Sequence, residues 1–160
     1  MVTVAGTRRQ EGVGKPAQLF GIAPGADQRF SRAYAPVLGA LLEVLADRLE
    51  PAAVEALARE AGRRLANGLA ASVSVRPDEA VRQILGGLGG QAEVTLAPGG
   101  LVVEGCGCPL SEVTRGRPVA CGAMETLLAT ALGRPVTESC DRGARPRCRF
   151  LVDLASGGAT

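Results

Sequence analysis

The fold is decided by the stretch from Gly105 to Leu154, which reads GCGCPLSEVTRGRPVACGAMETLLATALGRPVTESCDRGARPRCRFLVDL. A helical pattern from Cys121 to Leu132 is followed by two strand-like runs, Pro135–Cys140 and Arg147–Leu154. The stretch holds every cysteine of the chain, namely Cys106, Cys108, Cys121, Cys140 and Cys148. Cysteines grouped at a helix start and on neighbouring strands are the feature of this sequence best suited to carry chemistry.

The composition of the whole chain excludes several classes of function. The chain has 160 residues, enough for one domain, and 46% of them are hydrophobic, enough for a sizeable core. Its 18 basic and 16 acidic residues nearly balance, so net charge alone predicts no affinity for nucleic acid or membranes. Three Phe, one Tyr and no Trp argue against a platform that stacks bases.

The absence of histidine excludes Ser/His and Cys/His mechanisms, and we expect no enzyme. A transition-metal site must then consist mainly of thiolates, with carboxylates as minor ligands. No apolar run is long enough for a signal peptide or a transmembrane helix, which predicts a cytoplasmic chain without a membrane partner. In that compartment, grouped cysteines indicate metal or redox sites more readily than disulfides.

Towards the N-terminus, residues 2–22 are predicted to form a β-hairpin in which Leu19 and Phe20 pack. Its turn carries three positive charges, on Arg8, Arg9 and Lys15. One interpretation is a frayed basic hairpin, and the other is a wing that contacts DNA phosphates through these three residues.

Three helices are predicted next. The first begins at an N-cap Asp27, kinks or restarts at Pro36, and carries a wide apolar stripe that favours core packing, with a dimer interface as the alternative. The second runs from Pro51 to Leu69, and the third from Asp78 to a glycine run that ends it. A hairpin of strands Ala92–Ala97 and Leu101–Gly105 then leads into the cysteine-rich stretch. This order predicts an α+β fold, with an antiparallel sheet packed by several helices.

The cysteine spacing permits a shared site. Twelve residues separate Cys108 from Cys121, eighteen separate Cys121 from Cys140, and seven separate Cys140 from Cys148. The helix start is expected to lower the pKa of Cys121, and a final hairpin would bring Cys140 and Cys148 together. Alternatively, the cysteines only fill core space. Cys106 is either packing or a ligand in place of Cys108. The carboxylates of Glu104, Glu125 and Glu138 are expected to be scattered over the surface.

Several segments together resemble the C-terminal sensor of winged-helix bacterial regulators: Gly105–Leu110, Pro118–Leu128, Leu132–Val136, Cys140 and Pro146–Phe150. This group includes the repressor of the suf iron–sulfur assembly operon and proteins with the methanogen output domain. The same tail resembles the 4-vinyl-reductase-type small-molecule-binding domain. Gly12–Phe20 is similar to the wing of such a regulator.

The resemblance implies a metal site that holds zinc or an iron–sulfur cluster, with ligands in the matching positions Cys108, Cys121, Cys140 and Cys148. It further implies a homodimeric transcriptional regulator in which this site controls DNA binding. The alternative is a metal-free small-molecule-binding module.

The domain boundaries follow from the same resemblance. Residues 1–23 would be the wing remnant of a winged-helix domain, residues 24–155 a helical linker and dimerisation region plus the sensor, and residues 156–160 a disordered tail. Few residues precede the wing. Either the chain is therefore an N-terminal truncation or it has lost DNA reading, and we expect DNA binding only where the missing helices are present.

Overall fold

The structure, a computed structural model, describes residues 2–8, 17–22, 33–69, 74, 76–108, 110–114, 117–143 and 145–156. The predictions for Arg9, Lys15, Asp27 and residues 157–160 concern positions outside these ranges. The chain separates into two compact units, Met1–Tyr34 and Ala35–Thr160.

The first unit contains the predicted β-hairpin, formed by β1 (Val2–Arg8) and β2 (Ala17–Ile22). The two strands pair antiparallel, with an irregularity in register between Val4 and Gly6. Leu19 and Phe20 are exposed rather than packed, which corrects the prediction for them. A two-stranded ribbon cannot bury either of its own faces, so its apolar side chains need a second layer to cover them.

The second unit is an α+β fold, as predicted. Its sheet has the order β3-β4-β6-β5, and every neighbouring pair is antiparallel. The first helix, α1 (Tyr34–Arg48), begins at the last residue of the first unit. The other elements are α2 (Pro51–Leu69), α3 (Pro77–Gly87), β3 (Ala92–Ala97), β4 (Gly100–Gly105), α4 (Ser111–Thr114), α5 (Val119–Leu132), β5 (Val136–Glu138) and β6 (Arg149–Asp153). Among the helices described, none is both long and apolar enough to cross a membrane.

One face of the sheet forms the core. Alternate residues of β4 and β6 are buried, while Glu104, Arg149 and Leu151 between them are exposed. This alternation is what a sheet covered on one side requires. The helices cover the buried face with the apolar side chains of α3 and α5. The largest fully buried side chains are Val81, Val103, Val113, Leu127, Leu128, Phe150 and Val152.

Helix α2 crosses α5 at very short range. Its buried positions Val54, Gly62 and Ala66 are spaced at four or eight residues, which places them on one helix face. A Cβ atom at Gly62 would lie 2.3 Å from the backbone oxygen of Ala123. Only glycine permits this approach, so Gly62 sets the distance between α2 and the helix that carries Cys121.

Helix α1 differs from the prediction that its stripe packs in the core, because none of its residues is buried. Pro36 lies in the first turn of the helix, where proline is tolerated. Tyr34, Val37, Leu41 and Val44 follow one another at intervals of three and four residues and are between 53% and 65% exposed. The apolar stripe is therefore wide because it covers more than one face, and one of those faces is open.

Candidate metal centre

Four cysteines from four separate segments line one small cavity. Cys121 lies in the first turn of α5, Cys140 follows β5, Cys148 precedes β6, and Cys108 lies between β4 and α4. The cavity has a volume of about 10 Å³ and is closed on its other sides by Leu110, Met124 and Phe150. The structure thus brings together the four cysteines that the sequence singled out.

The hairpin of β5 and β6 brings Cys140 and Cys148 together, as predicted. The backbone N–H of Arg149 donates to the Cys140 sulfur at 3.2 Å. Beyond Cys140, Asp141 and Arg147 form an isolated bridge, and the Asp141 carboxylate accepts the N–H of Gly143 at 2.8 Å. This carboxylate contact fixes the turn that returns the chain to Cys148.

Cys108 reaches the cavity because the chain turns sharply after β4. The N–H of Gly105 donates to the Cys148 oxygen at 2.8 Å. A Cβ at Gly105 would lie 2.7 Å from the Gly107 oxygen and 3.2 Å from the Cys148 Cβ, so the site requires glycine there. Cys106 is exposed and is not among the residues that line the cavity. Of the two alternatives left open by the sequence, the structure places Cys108 at the site.

Glu138 joins the site, which corrects its expected place among scattered surface carboxylates. One ligand atom each from Cys121, Glu138 and Cys140 lies within 4.8 Å of the other two. The Glu138 side chain is only 14% exposed. A sequence signal did exist, since Glu138 and Cys140 are two residues apart at a strand end and therefore point to the same side.

A positive charge faces this group. The Arg142 guanidinium pairs with the Glu138 carboxylate, and its hydrogen bond with the Cys121 thiol raises the pKa of Arg142. The other Glu138 oxygen accepts the N–H of Cys140. The backbone N–H of Glu138 in turn donates to the Glu125 carboxylate at 2.7 Å. These contacts fix the orientation of Glu138 towards the cysteines.

The thiol of Cys140 lies beside those of Cys121 and Cys148, and these neighbours shift the pKa values of Cys121 and Cys140. The contact with Cys140, together with burial, raises the pKa of Cys121 well above the usual range of a cysteine. The expected lowering by the helix start is therefore wrong, because the neighbouring thiol and burial outweigh it. For Cys140, the contact with Cys121 lowers the pKa, but the contact with Cys148 and burial raise it to about 12.

The donor set fits a thiophilic metal ion. Thiolate sulfurs around a tetrahedral zinc ion lie about 3.8 Å apart, given Zn–S bonds of about 2.3 Å. The ligand atoms of Cys121, Glu138 and Cys140 lie within 4.8 Å of one another, close to that spacing, whereas Cys108 and Cys148 line the same cavity but lie outside this closest group. Cys121, Cys140 and Cys148 could supply three ligands, and either Cys108 or Glu138 the fourth.

The residues predicted to contact DNA belong to the other unit. Arg8 ends β1 and is exposed, while Arg9 and Lys15 lie outside the described residues. The resemblance to winged-helix regulators is not supported by wider comparisons. The chain matches no protein-family model and no curated protein.

Proposed function

We propose that the chain is the sensor and effector part of a transcriptional regulator, in which a metal centre held by cysteines controls DNA binding. The observation that carries this proposal is the cavity lined by Cys108, Cys121, Cys140 and Cys148. These four thiols converge from distant positions on a space of about 10 Å³, which is about the volume that one water molecule needs.

The size of the cavity favours a single ion over a cluster. A zinc ion with thiolate ligands needs no more space than this, whereas an iron–sulfur cluster also needs room for its bridging sulfides. When bound, the ion would tie the start of α5 to the β5–β6 hairpin. Arg142 would offset part of the negative charge of the thiolates and of Glu138.

The proposal includes a homodimer formed through α1. Tyr34, Val37, Leu41 and Val44 follow the 3,4 spacing of a coiled-coil seam and are exposed. Because a second copy of the chain carries the same seam, a symmetric pair of α1 helices would bury the seams of both chains. Arg8, Arg9 and Lys15 would contact DNA phosphates in the regulator.

The test is the metal content of protein purified without oxygen, measured together with its visible absorption. We expect about one zinc ion per chain and no colour. Iron with inorganic sulfide and a visible band would instead assign a cluster. Cys121→Ser should lose most of the metal, because its thiol lies within the closest ligand group.

Cys106→Ser is the matched control, since Cys106 is a cysteine of the same stretch that does not line the cavity. It should keep the metal content of the unmodified chain. Equal metal content in the Cys121 and Cys106 variants would refute the proposed site, as would metal-free protein with five titratable thiols.

A separate observation favours a second candidate function, a small-molecule-binding module. A cleft of about 580 Å³ lies between α1, α2 and α5. This volume is within the range of about 300–1,000 Å³ that is usual for ligand sites.

A further inference from the structure

The cleft between α1, α2 and α5 has an apolar interior. Leu42 and Ala46 line it from α1, Val54 from α2 and Val119 from α5. On α1, Leu42 follows Val37 and Ala46 follows Leu41 by five residues, which turns the helix about 140° beyond a full turn and places the two pairs on different faces. The helix therefore presents one apolar face to the cleft and a different one to solvent.

The charges that line the cleft are predominantly negative. Five carboxylates border it, against two guanidinium groups. Both guanidinium groups are already paired, Arg117 with Glu43 and Arg59 with Glu55, the latter at 3.6 Å. An anionic ligand would therefore have to compete with a carboxylate for each of them.

Two of the carboxylates have no cationic partner among the described residues, Asp47 on α1 and Glu125 on α5. One Glu125 oxygen accepts the N–H of Glu138 at 2.7 Å, which fixes this half-buried carboxylate in place. A carboxylate held at an apolar surface without a counter-ion attracts a cation more strongly than one in open water.

Gly122 is an independent observation that favours a ligand in the cleft. It lies inside α5, where glycine costs about 0.5–1 kcal/mol relative to alanine. Unlike Gly62, it has no packing reason to be glycine, because a Cβ there would meet no atom within 4 Å. Gly122 also lines the cleft, so any larger side chain would occupy the space a ligand would take.

We propose that this cleft binds an organic cation, with an apolar body among the helices and a protonated amine received by Glu125 and Asp47. The inference rests on the second candidate function, and no cysteine is among the described residues that line the cleft. The pairing of both arginines disfavours carboxylate or phosphate ligands. The volume of about 580 Å³ admits a molecule with roughly ten to twenty non-hydrogen atoms.

The test is isothermal titration calorimetry of the full chain with two cations, octylammonium and phenethylammonium, and with two anions of similar size, octanoate and 3-phenylpropionate. At least one cation should bind one-to-one with a dissociation constant of about 1 mM or tighter. The anions should bind at least tenfold more weakly.

Two variants locate the binding. Gly122→Phe should abolish it by filling the cleft, whereas Gly68→Phe, in open space on α2 and away from the cleft, should leave it unchanged. Glu125→Gln keeps an oxygen for the Glu138 N–H but loses the charge, and should weaken the cation about tenfold or more. Glu93→Gln, on an exposed strand residue, is the charge control.

The results of these titrations distinguish failure of the cationic-ligand proposal from failure of the small-molecule-binding function. Anions that bind as tightly as the cations, and are blocked by Gly122→Phe, would overturn the cationic ligand but keep a small-molecule site. No saturable binding of any probe up to about 10 mM would overturn both. Cation binding that survives Gly122→Phe would show that the cleft is not the site.

Discussion

Gly62 and Gly122 show that the same residue type serves opposite purposes on facing helices. At Gly62 a side chain has no room, because the Ala123 backbone lies against it. At Gly122 a side chain has room, and its absence leaves a cleft. The sequence marks both positions as helix-interior glycines, but only the packing distinguishes them.

Gly62→Ala should lower the free energy of unfolding by about 2–3 kcal/mol, because the added Cβ would lie 2.3 Å from a backbone oxygen and α2 must move away from α5. Urea denaturation of the purified chain measures this change. Gly68→Ala is the control on the same helix, with no atom within 4 Å, and should raise the free energy of unfolding by about 0.5–1 kcal/mol. Equal effects of the two substitutions would contradict the close helix crossing.

Gly105→Ala should disturb the cysteine site, although Gly105 itself supplies no ligand. Its Cβ would press on the Gly107 oxygen and on the Cys148 Cβ, so the chain must shift where it positions Cys108 and Cys148. We expect a loss of about 1–3 kcal/mol in stability and a lower metal content than in the unmodified chain. Gly107→Ala, which meets no atom within 4 Å, should change neither quantity. Full metal content in Gly105→Ala would argue against a site at these residues.

At the residue scale, the sequence predicted which cysteines meet but not what surrounds them. Cys140 and Cys148 flank a short turn, so their proximity follows from strand pairing. Glu138 was missed because it was considered as a single carboxylate and not as the strand neighbour of Cys140. The pKa of Cys121 depends on a thiol nineteen positions later in the chain, which no local pattern reveals.

At the scale of single elements, residues along β6 alternate between the buried face and the exposed face of the sheet. Phe150→Ala should lower the free energy of unfolding by about 3–5 kcal/mol, because Phe150 is fully buried beneath the helices. Leu151→Ala, one residue away and 41% exposed, should change it by less than about 1 kcal/mol. Thermal and urea denaturation of both variants would measure the difference, and similar losses would mean that the outer face of the sheet is also covered.

Element boundaries were predictable where proline or glycine marks them. Pro51 begins α2, Gly133 follows α5 with a φ of 61°, and α3 ends at Gly87, within the glycine run. The final strands are shorter than predicted: β5 ends at Glu138 and β6 begins at Arg149, whose N–H donates to the Cys140 sulfur. The exposure of α1 was not predictable, because an apolar stripe does not indicate whether another surface covers it.

For the whole molecule, the open seam of α1 predicts a dimer that can be separated without unfolding. Leu41→Lys combined with Val44→Lys should yield a monomer in sedimentation velocity experiments, because both side chains are exposed in the single chain. Far-UV circular dichroism should stay unchanged. Leu96→Lys, which alters a 75% exposed leucine on β3, is the control and should leave the dimer intact. A monomeric unmodified chain would remove the basis for this interface.

The pairing of β4 with β6 determines when the cysteine cavity can form. The β3–β4 hairpin joins neighbours in sequence, but β6 reaches β4 only after the whole stretch from Cys106 to Cys148 has folded back. Because closing such a long loop loses chain entropy before any contact is gained, non-local pairing of this kind is a slow folding step. We therefore expect the thiols of a newly synthesised chain to remain apart until late in folding. During that interval they would be open to oxidation, so a reducing environment would matter more to the nascent chain than to the finished protein.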